Sequence, residues 1–216
     1  MRKEIIDTIM KNKIIVIVRG VEHDKLLPLA EALYEGGIRA LEITYTHKDR
    51  SLDEKTADGI RHLSEHFQNK MLIGAGTVTE ISQVELTKKA GGKFIISPDT
   101  NEAIIRKTAE LDMVSIPGAL TPTEIETAYK SGADFVKLFP ITVLGTDYVK
   151  AIKAPLSGIR LLGVGGINEN NISEYSKAGI CGFGIGSNLV NKKFISEGNI
   201  NAITDLTKYF ILNLGE

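Results

Sequence analysis

The sequence has one cysteine, no excess of either charge and no long apolar run, and each of these absences excludes a class of protein. Because Cys181 is the single cysteine among 216 residues, an internal disulfide is impossible and a reducing cytoplasm is the expected compartment. The formal net charge is -1 and the basic residues form no stripe along the sequence. The chain is therefore not expected to have a positive electrostatic potential that attracts nucleic acid or an anionic membrane. We therefore expect neither a nucleic-acid-binding protein nor a membrane-surface protein.

The apolar runs that do occur are short. The first of them, "IIVIV" at residues 14–18, cannot span a bilayer or serve as a signal peptide, and charged residues precede it. Hydrophobic residues make up 43% of the chain and charged residues 25%, as in a globular protein with a sizeable core. His62 and His66 have the spacing of helical metal ligands but lack a third ligand, so no metal site is predicted. We expect a soluble cytoplasmic protein.

Eight short apolar runs alternate with helical patterns along the chain. The helical segments show apolar residues at three- and four-residue spacing, as in "DKLLPLAEALYEGG", and several end in Gly just before the next run. The predicted strands are 14–18, 40–44, 71–75, 94–97, 113–116, 134–139, 160–164 and 181–185.

This alternation leaves two architectures, a doubly wound sheet or a closed barrel. Eight units without a polar linker favour the barrel, so the predicted fold class is α/β, a (β/α)8 TIM barrel that forms a single domain over residues 1–216. An extra N-terminal helix at about 2–11 is expected to cover the bottom of the barrel, and the last helix is expected at about 199–214.

Charged residues occur in or directly after three of the predicted strands. Lys137 lies among apolar residues in "DFVKLFP", and Glu42 lies in "RALEITY". Because strand side chains alternate between the lumen and the helix layer, both are predicted to point into the barrel, as is Arg19 at the end of "IIVIVRG". Active sites of this fold form at the carboxyl ends of the strands, so the three charges indicate a catalytic centre.

The chemistry of the three side chains is complementary. An amine beside a second cation in a desolvated pocket has a lowered pKa, which would let Lys137 attack a ketone as the neutral amine. Glu42 is suited to transfer protons, either directly or through a water molecule. Arg19 is suited to hold a carboxylate in a bidentate fork.

Glycine-rich segments at other strand ends indicate a site for a small anion. The segment "GAGTV" at 74–78 includes the hydroxyl of Thr77, and "GVGGIN" at 163–168 and "GIGSN" at 184–188 follow the seventh and eighth predicted strands. In TIM barrels, backbone N–H groups at these two strand ends commonly hold phosphate. Neither segment matches a dinucleotide fingerprint or a P-loop.

The motifs "LEIT", "GAGTV", "ISP", "IPG", "TPTE", "KLFP", "GGI" and "GS" occur in this order, each near a predicted strand end. Over nearly its whole length the chain thereby resembles the family of 2-keto-3-deoxy-6-phosphogluconate (KDPG) and 4-hydroxy-2-oxoglutarate (KHG) aldolases. The resemblance implies a class I lyase, usually a homotrimer, that uses no metal or other cofactor. Its implied substrate is a small 2-oxo acid.

Two types of reaction follow from this resemblance. One is cleavage of a 2-keto-3-deoxy-6-phospho sugar acid, of the phosphogluconate or phosphogalactonate type, to pyruvate and glyceraldehyde 3-phosphate, as in the Entner-Doudoroff pathway. The other is cleavage of 4-hydroxy-2-oxoglutarate to pyruvate and glyoxylate.

The resemblance also implies roles for individual residues. Lys137 would form the Schiff base, Glu42 would be the acid/base, and Thr77 would bind the pyruvoyl carboxylate. The other implied substrate-binding residues are Pro98 and Phe139 in the pocket wall and Gly165, Gly166, Gly186 and Ser187 at the phosphate.

The chain departs from the family pattern at three positions. Many members carry Arg where this chain has Thr46, and Arg19 is expected to supply the missing cation. Val164 stands where gluconate-type members commonly carry Thr, and valine cannot hydrogen-bond a substrate hydroxyl. "ISPDTN" replaces the frequent "ISPG", and no role is assigned to Asp99.

Two other functions fit the same residues. In a phosphate-barrel isomerase or epimerase, Glu42 would be a base and Lys137 an electrostatic stabiliser. The second is an inactive sugar-phosphate-binding barrel, which would have no use for the costly burial of Lys137, Glu42 and Arg19.

Overall fold

All β-strands of the computed structural model, which describes residues 2–214, belong to one parallel sheet. Their order in the sheet is β5-β4-β3-β2-β1-β9-β8-β7-β6. The strands are β1 (Ile14–Val18), β2 (Ala40–Thr44), β3 (Leu72–Gly76), β4 (Phe94–Ile96), β5 (Val114–Ile116), β6 (Gly118–Ala119), β7 (Val136–Leu138), β8 (Leu161–Val164) and β9 (Gly182–Ile185).

The sheet curls into a barrel because its two outermost strands are consecutive pieces of the chain. Pro117 separates β5 from β6; β5 pairs with β4, and β6 pairs with β7. The N–H of Lys137 donates to the carbonyl of Pro117 at 2.8 Å, and the N–H of Phe135 donates to the carbonyl of Ser115 at 3.3 Å. With β5 and β6 counted as one interrupted strand, eight strand passages form the ring, which confirms the predicted (β/α)8 class.

Helices follow the strand passages and surround the barrel. They are α1 (Arg2–Asn12), α2 (His23–Glu35), α3 (Asp53–Phe67), α4 (Ile81–Lys89), α5 (Glu102–Glu110), α6 (Pro122–Lys130), α7 (Gly145–Lys153), α8 (Ile172–Lys177), α9 (Lys192–Ser196) and α10 (Ile200–Leu212). Short 3-10 helices occupy Arg50–Leu52 and Ile141–Val143. Among these described helices, none is both long enough and apolar enough to cross a bilayer.

Two separate apolar clusters show which way the strand side chains point. The inner cluster includes Ile15, Ala40 and Phe135, and Ile5 and Ile9 of α1 pack against them. The outer cluster, between strands and helices, holds the neighbouring residues on the same strands, among them Val16, Leu41 and Val136. The predicted alternation and the covering role of α1 are therefore confirmed. Since the lower lumen is filled by apolar side chains, the next inward residues toward the carboxyl ends form the upper layer.

The structure differs from the sequence prediction at several boundaries. The strand predicted at 134–139 is shorter, because Asp134 accepts hydrogen bonds from the side chain of Arg2 and the N–H of Ser115 before β7 begins. The short α9 was not predicted, since five residues are too few to show a helical period. Its start is fixed by Asn191, whose side-chain oxygen accepts from the N–H groups of Lys193 and Phe194.

Candidate active site

Glu42 and Lys137 lie in the layer directly above the inner apolar cluster. Glu42 in β2 is in register with Ile17 of β1 and Gly74 of β3. Lys137 in β7 is in register with Gly118 and Leu162. Their relative exposures are 2% for Glu42 and 8% for Lys137, so two ionisable groups that interact electrostatically are both shielded from solvent. Such burial is costly for a charge and rare without a functional reason.

The environment shifts both pKa values toward neutrality. Burial raises the pKa of Glu42 to about 7, although the positive charges of Lys137 and Arg19 oppose the shift. Burial also lowers the pKa of Lys137, an effect opposed by Glu42 and strengthened by Arg19. One carboxyl oxygen of Glu42, Oε2, is buried and has no hydrogen-bond partner among the described residues. The site therefore holds a carboxyl group that exchanges protons near neutral pH beside an amine whose neutral form is favoured by burial.

Gly76 makes room for the carboxyl group of Glu42. A Cβ atom at this position would lie 2.5 Å from Cδ of Glu42 and 2.6 Å from each of its carboxyl oxygens. These distances are far below van der Waals contact, so any larger residue at the end of β3 would push the carboxyl group away. The motif "GAGTV" pointed to this strand end, but it gave no sign that Gly76 serves Glu42.

We expect Gly76→Ala to lower kcat for the chain's reaction by roughly a hundredfold, the scale of a lost general acid–base group. The displaced carboxyl group can no longer reach the proton it transfers. Gly158→Ala is the matched control, since a Cβ at Gly158 has nothing within 4 Å. Steady-state kinetics and thermal melting of both variants make the comparison. Normal kcat in a folded Gly76→Ala protein would contradict the proposed place of Glu42.

Arg19 and Thr77 lie together at the mouth of the barrel. Nη2 of Arg19 donates to Oγ1 of Thr77 at 3.1 Å, although the two residues follow different strands, β1 and β3. The burial expected for Arg19 was wrong: its side chain follows the end of β1 and is exposed, whereas Glu42 and Lys137 are buried. Thr77 has a left-handed backbone with φ of 56°. A β-branched residue with positive φ is strained, and such strain is often found at ligand sites. The pair presents a guanidinium group and a hydroxyl group to anything that enters the barrel.

A ring of polar side chains holds the loop that follows Thr77. The N–H of Thr79 donates to Oε1 of Gln83 at 3.0 Å, and Nε2 of Gln83 donates to Oδ1 of Asp53 at 3.1 Å. Nη2 of Arg50 donates to Oγ1 of Thr79 at 3.1 Å and thereby connects back to the same loop. Gln83 is fully buried, so its amide group is committed to this ring. The ring ties the loop after β2 to the loop after β3, which fixes the position of Thr77.

Phe139 forms one wall beside Lys137. The amine of Lys137 lies 4.7 Å from the centroid of the Phe139 ring, and a Cβ atom at Gly165 would lie 3.3 Å from the same ring. Val164 is buried next to Gly184, on the inner face of the barrel. Pro98 is exposed at the end of β4, with its carbonyl group packed against Gly118.

The four residues predicted to meet phosphate lie at the ends of β8 and β9. Gly165 and Gly166 both have positive φ, and Thr142 fixes them by donating its N–H and its hydroxyl to the carbonyl of Gly165. Gly186 and Ser187 border a cavity of about 620 Å³ at the end of β9. The predicted phosphate residues therefore share one rim of the mouth.

Other candidates lie away from this layer. Thr46 lines a separate cavity of about 200 Å³ that His23 also borders. Asp99 is exposed, and its carbonyl group accepts from the N–H of Gly118. His66 lies 3.3 Å from Glu31 on the outer surface. Within residues 2–214, no group of three His, Cys, Asp or Glu side chains could hold a metal ion.

Comparisons with known proteins agree with this geometry. The sequence profile of the family described as KDPG and KHG aldolase matches residues 5–206. A probable 2-dehydro-3-deoxy-6-phosphogalactonate aldolase from Rhizobium meliloti is 37% identical over 203 residues, which cover 93% of this chain and 92% of the relative. A 2-dehydro-3-deoxy-phosphogluconate aldolase from Treponema pallidum is 31% identical over 215 residues, covering 98% of both chains.

A solved structure gives the same result. The KDPG aldolase from Legionella pneumophila, captured with pyruvate as a covalent carbinolamine intermediate, superposes with a TM-score of 0.84 at 29% identity. The match covers 94% of this chain and 96% of that chain. Sequence, fold and the arrangement of charges at the barrel mouth lead to the same assignment, and the chain belongs to the KDPG and KHG aldolase family.

Proposed function

We propose that this chain is a class I aldolase in which Lys137 forms a Schiff base with a 2-keto-3-deoxy-6-phospho sugar acid. The observation that carries the proposal is the buried pair of Lys137 and Glu42, whose pKa values both move toward neutrality. The relatives named as phosphogluconate and phosphogalactonate aldolases support the substrate class. The covalent pyruvate adduct of the Legionella pneumophila enzyme supports the covalent mechanism.

The first step is condensation at the C2 ketone. The neutral amine of Lys137 attacks the carbonyl carbon and forms a carbinolamine, and loss of water then gives a protonated iminium ion. Glu42 in its protonated form donates the proton that the leaving hydroxyl group needs. The lowered pKa of Lys137 favours this step, because it increases the fraction of neutral amine near pH 7.

The second step breaks the carbon chain. Glu42, now ionised, accepts the proton of the C4 hydroxyl group, directly or through a water molecule, and the C3–C4 bonding electrons move to the iminium nitrogen. Glyceraldehyde 3-phosphate leaves, and an enamine of pyruvate stays on Lys137. Glu42 returns the proton to C3, and water hydrolyses the iminium ion to pyruvate and free amine. The electron sink is the iminium ion itself, so the proposed cycle needs no metal or other cofactor.

Binding of the substrate is assigned to the mouth residues. Arg19 and Thr77 would hold the carboxylate, Phe139 and Pro98 would shape the pocket, and Val164 would face the sugar carbons. Gly165, Gly166, Gly186 and Ser187 would meet the phosphate. Because the side chain of Val164 is apolar, it cannot select the C4 configuration by a hydrogen bond, and both the gluconate and the galactonate isomer remain candidate substrates.

Replacing Arg19 should weaken pyruvate binding in the direction of aldol addition. A carboxylate entering this layer needs a counter-charge, and the hydroxyl group of Thr46 carries none. We expect Arg19→Ala to lower kcat/KM for pyruvate roughly thirtyfold, or about 2 kcal/mol, and Arg19→Lys to lower it less. Arg106→Ala, at an exposed pair with Glu102, is the control. Unchanged kcat/KM in Arg19→Ala would place the carboxylate elsewhere.

The rate should depend on pH through Glu42. Because burial raises the pKa of Glu42 to about 7, its carboxylate form is scarce at pH 5 and dominant at pH 8. We expect kcat for cleavage to rise with pH and to reach half of its plateau near pH 7, because breaking the C3–C4 bond in the iminium complex needs ionised Glu42. In Glu42→Gln this rise near pH 7 should be absent. A wild-type profile already flat from pH 5.5 would mean that no group of raised pKa controls cleavage.

The experiment that tests the proposed function is a substrate panel. Purified protein is incubated with the two phosphorylated sugar acids and with 4-hydroxy-2-oxoglutarate, and pyruvate release is measured. We expect a phosphorylated sugar acid to have the highest kcat/KM. Epimerisation or isomerisation without pyruvate would favour the isomerase alternative, and binding without turnover would favour the inactive barrel.

We further propose that residues 1–216 act as one catalytic domain in a cytoplasmic homotrimer of the Entner-Doudoroff type of metabolism. The shared barrel ring supports the single domain, the single cysteine supports the reducing compartment, and the family resemblance supports the trimer. Sedimentation equilibrium of the purified protein tests the trimer, since a monomeric mass would refute it.

A further inference from the structure

The cavity of about 620 Å³ at the barrel mouth is strongly basic. It lies between the ends of β1 and β9 and the short helix α9. Its nine lining residues include Arg19, Gly186, Ser187, Lys192 and Lys193. Three of these side chains are cationic and none is acidic. A concave site with charge of one sign and solvent access attracts ions of the opposite sign.

Lys192 and Lys193 have no counter-ion within the described part of the chain. Both are exposed, and no carboxylate of residues 2–214 lies within ion-pair distance of either amine. Lys150, by contrast, lies 3.0 Å from Asp147. The capping hydrogen bonds of Asn191 fix the backbone from which both lysines extend. Two unneutralised charges are therefore held at one wall of the cavity.

The four residues of the proposed phosphate site carry no positive charge of their own. Gly165, Gly166, Gly186 and Ser187 provide N–H groups and one hydroxyl group but no cation. A phosphate monoester carries nearly two negative charges at neutral pH, and its removal from water is costly unless cations pair with it. Arg19 is already bonded to Thr77 on the carboxylate side. Gly186 and Ser187 belong both to the phosphate rim and to the basic cavity, so a phosphate on this rim would face the lysines.

We propose that Lys192 and Lys193 bind the phosphate of the substrate and make the enzyme select phosphorylated over unphosphorylated aldehydes. This inference rests on the proposed function, because the phosphate rim was assigned there. In the direction of aldol addition, the two lysines would pair with the phosphate of glyceraldehyde 3-phosphate while Lys137 carries the enamine of pyruvate. Their charge-assisted contacts would act on the phosphorylated aldehyde and would have nothing to bind on plain glyceraldehyde.

The experiment measures aldol addition of pyruvate to glyceraldehyde 3-phosphate and to glyceraldehyde. For each protein, kcat/KM with the phosphorylated aldehyde is divided by kcat/KM with the plain one. We expect this ratio to fall roughly tenfold in Lys192→Gln, roughly tenfold in Lys193→Gln, and further in the double variant. The control double variant is Lys89→Gln with Lys177→Gln, which removes two charges in the last turns of α4 and α8 at the opposite end of the barrel. Its ratio should match that of the wild type.

Inorganic phosphate provides a second readout. As a competitor of glyceraldehyde 3-phosphate, it should inhibit the wild type more strongly than the Lys192→Gln/Lys193→Gln protein. A ratio of kcat/KM values that stays at the wild-type value in this double variant would overturn the inference. This holds even if inhibition by inorganic phosphate weakened, because the lysines would then form an anion site outside the substrate path. A wild-type protein that adds pyruvate to neither aldehyde would instead refute the proposed function, so the two failures are distinguishable.

Discussion

Replacing Lys137 with methionine should abolish aldol cleavage. Methionine fills the same space without an amine, so no imine can form and the C3–C4 bond loses its electron sink. We expect kcat/KM to fall by roughly 10⁴-fold or more, as when the nucleophile of a covalent enzyme is removed. The measurement is pyruvate release from the best substrate of the panel. The fold should survive, because Lys137 is 8% exposed and replacing a buried amine by an apolar group of similar size relieves desolvation.

Lys137→Arg separates the aldolase from the isomerase alternative. Arginine keeps the positive charge but stays protonated and forms no imine. An electrostatic role for Lys137 would leave Lys137→Arg with much of its activity, whereas the covalent role predicts that it is as inactive as Lys137→Met. Substantial cleavage by either variant would sink the Schiff-base mechanism. In Lys137→Met, moreover, the pKa of Glu42 should rise further, because the charge that lowers it is gone.

Glu42→Gln should slow turnover by roughly a hundredfold or more, the usual scale of general acid–base catalysis. Glutamine has nearly the same size and keeps hydrogen-bonding groups at the site, but it cannot accept the C4 hydroxyl proton. Pyruvate release measures turnover, and exchange of the pyruvate methyl protons with deuterated water, followed by NMR, measures proton transfer at C3 alone. Both rates should fall together, since one carboxyl group serves both steps.

Covalent binding of pyruvate should persist in Glu42→Gln. Glu42 raises the pKa of Lys137, so its removal should leave the amine still more often neutral. Adduct formation at Lys137 with loss of proton exchange would therefore assign proton transfer to Glu42. Normal turnover in this variant would show that another group moves the protons.

The sequence predicted the charged layer because its position depends on a local rule. Side chains alternate along a strand, so the strand positions of Lys137 and Glu42 were enough to direct both inward. The same rule placed Ile15 and Phe135 in the lumen, where they lie. Glycines at helix ends also identified the strand starts, since Gly37 and Gly132 have the positive φ that such turns require.

Features that depend on contacts between distant segments were beyond prediction from the sequence. Nothing local shows that Gly76 must lack a side chain for Glu42 to fit, or that Gln83 and Asp53 tie two loops together. The interruption of the fifth strand at Pro117 depends on its two different neighbours, β4 and β7. The basic cavity was missed because Lys192 and Lys193 lie in a polar loop, where a charge pattern does not reveal the direction of the side chains.

The central claim is the covalent role of Lys137, and borohydride trapping tests it most directly. The protein is incubated with pyruvate and reduced with borohydride, which converts an imine into a stable secondary amine, and its peptides are analysed by mass spectrometry. We predict one reduced pyruvyl group per chain, located on Lys137, and none in Lys137→Met treated in the same way. No adduct, or an adduct on another lysine, would contradict the proposed mechanism.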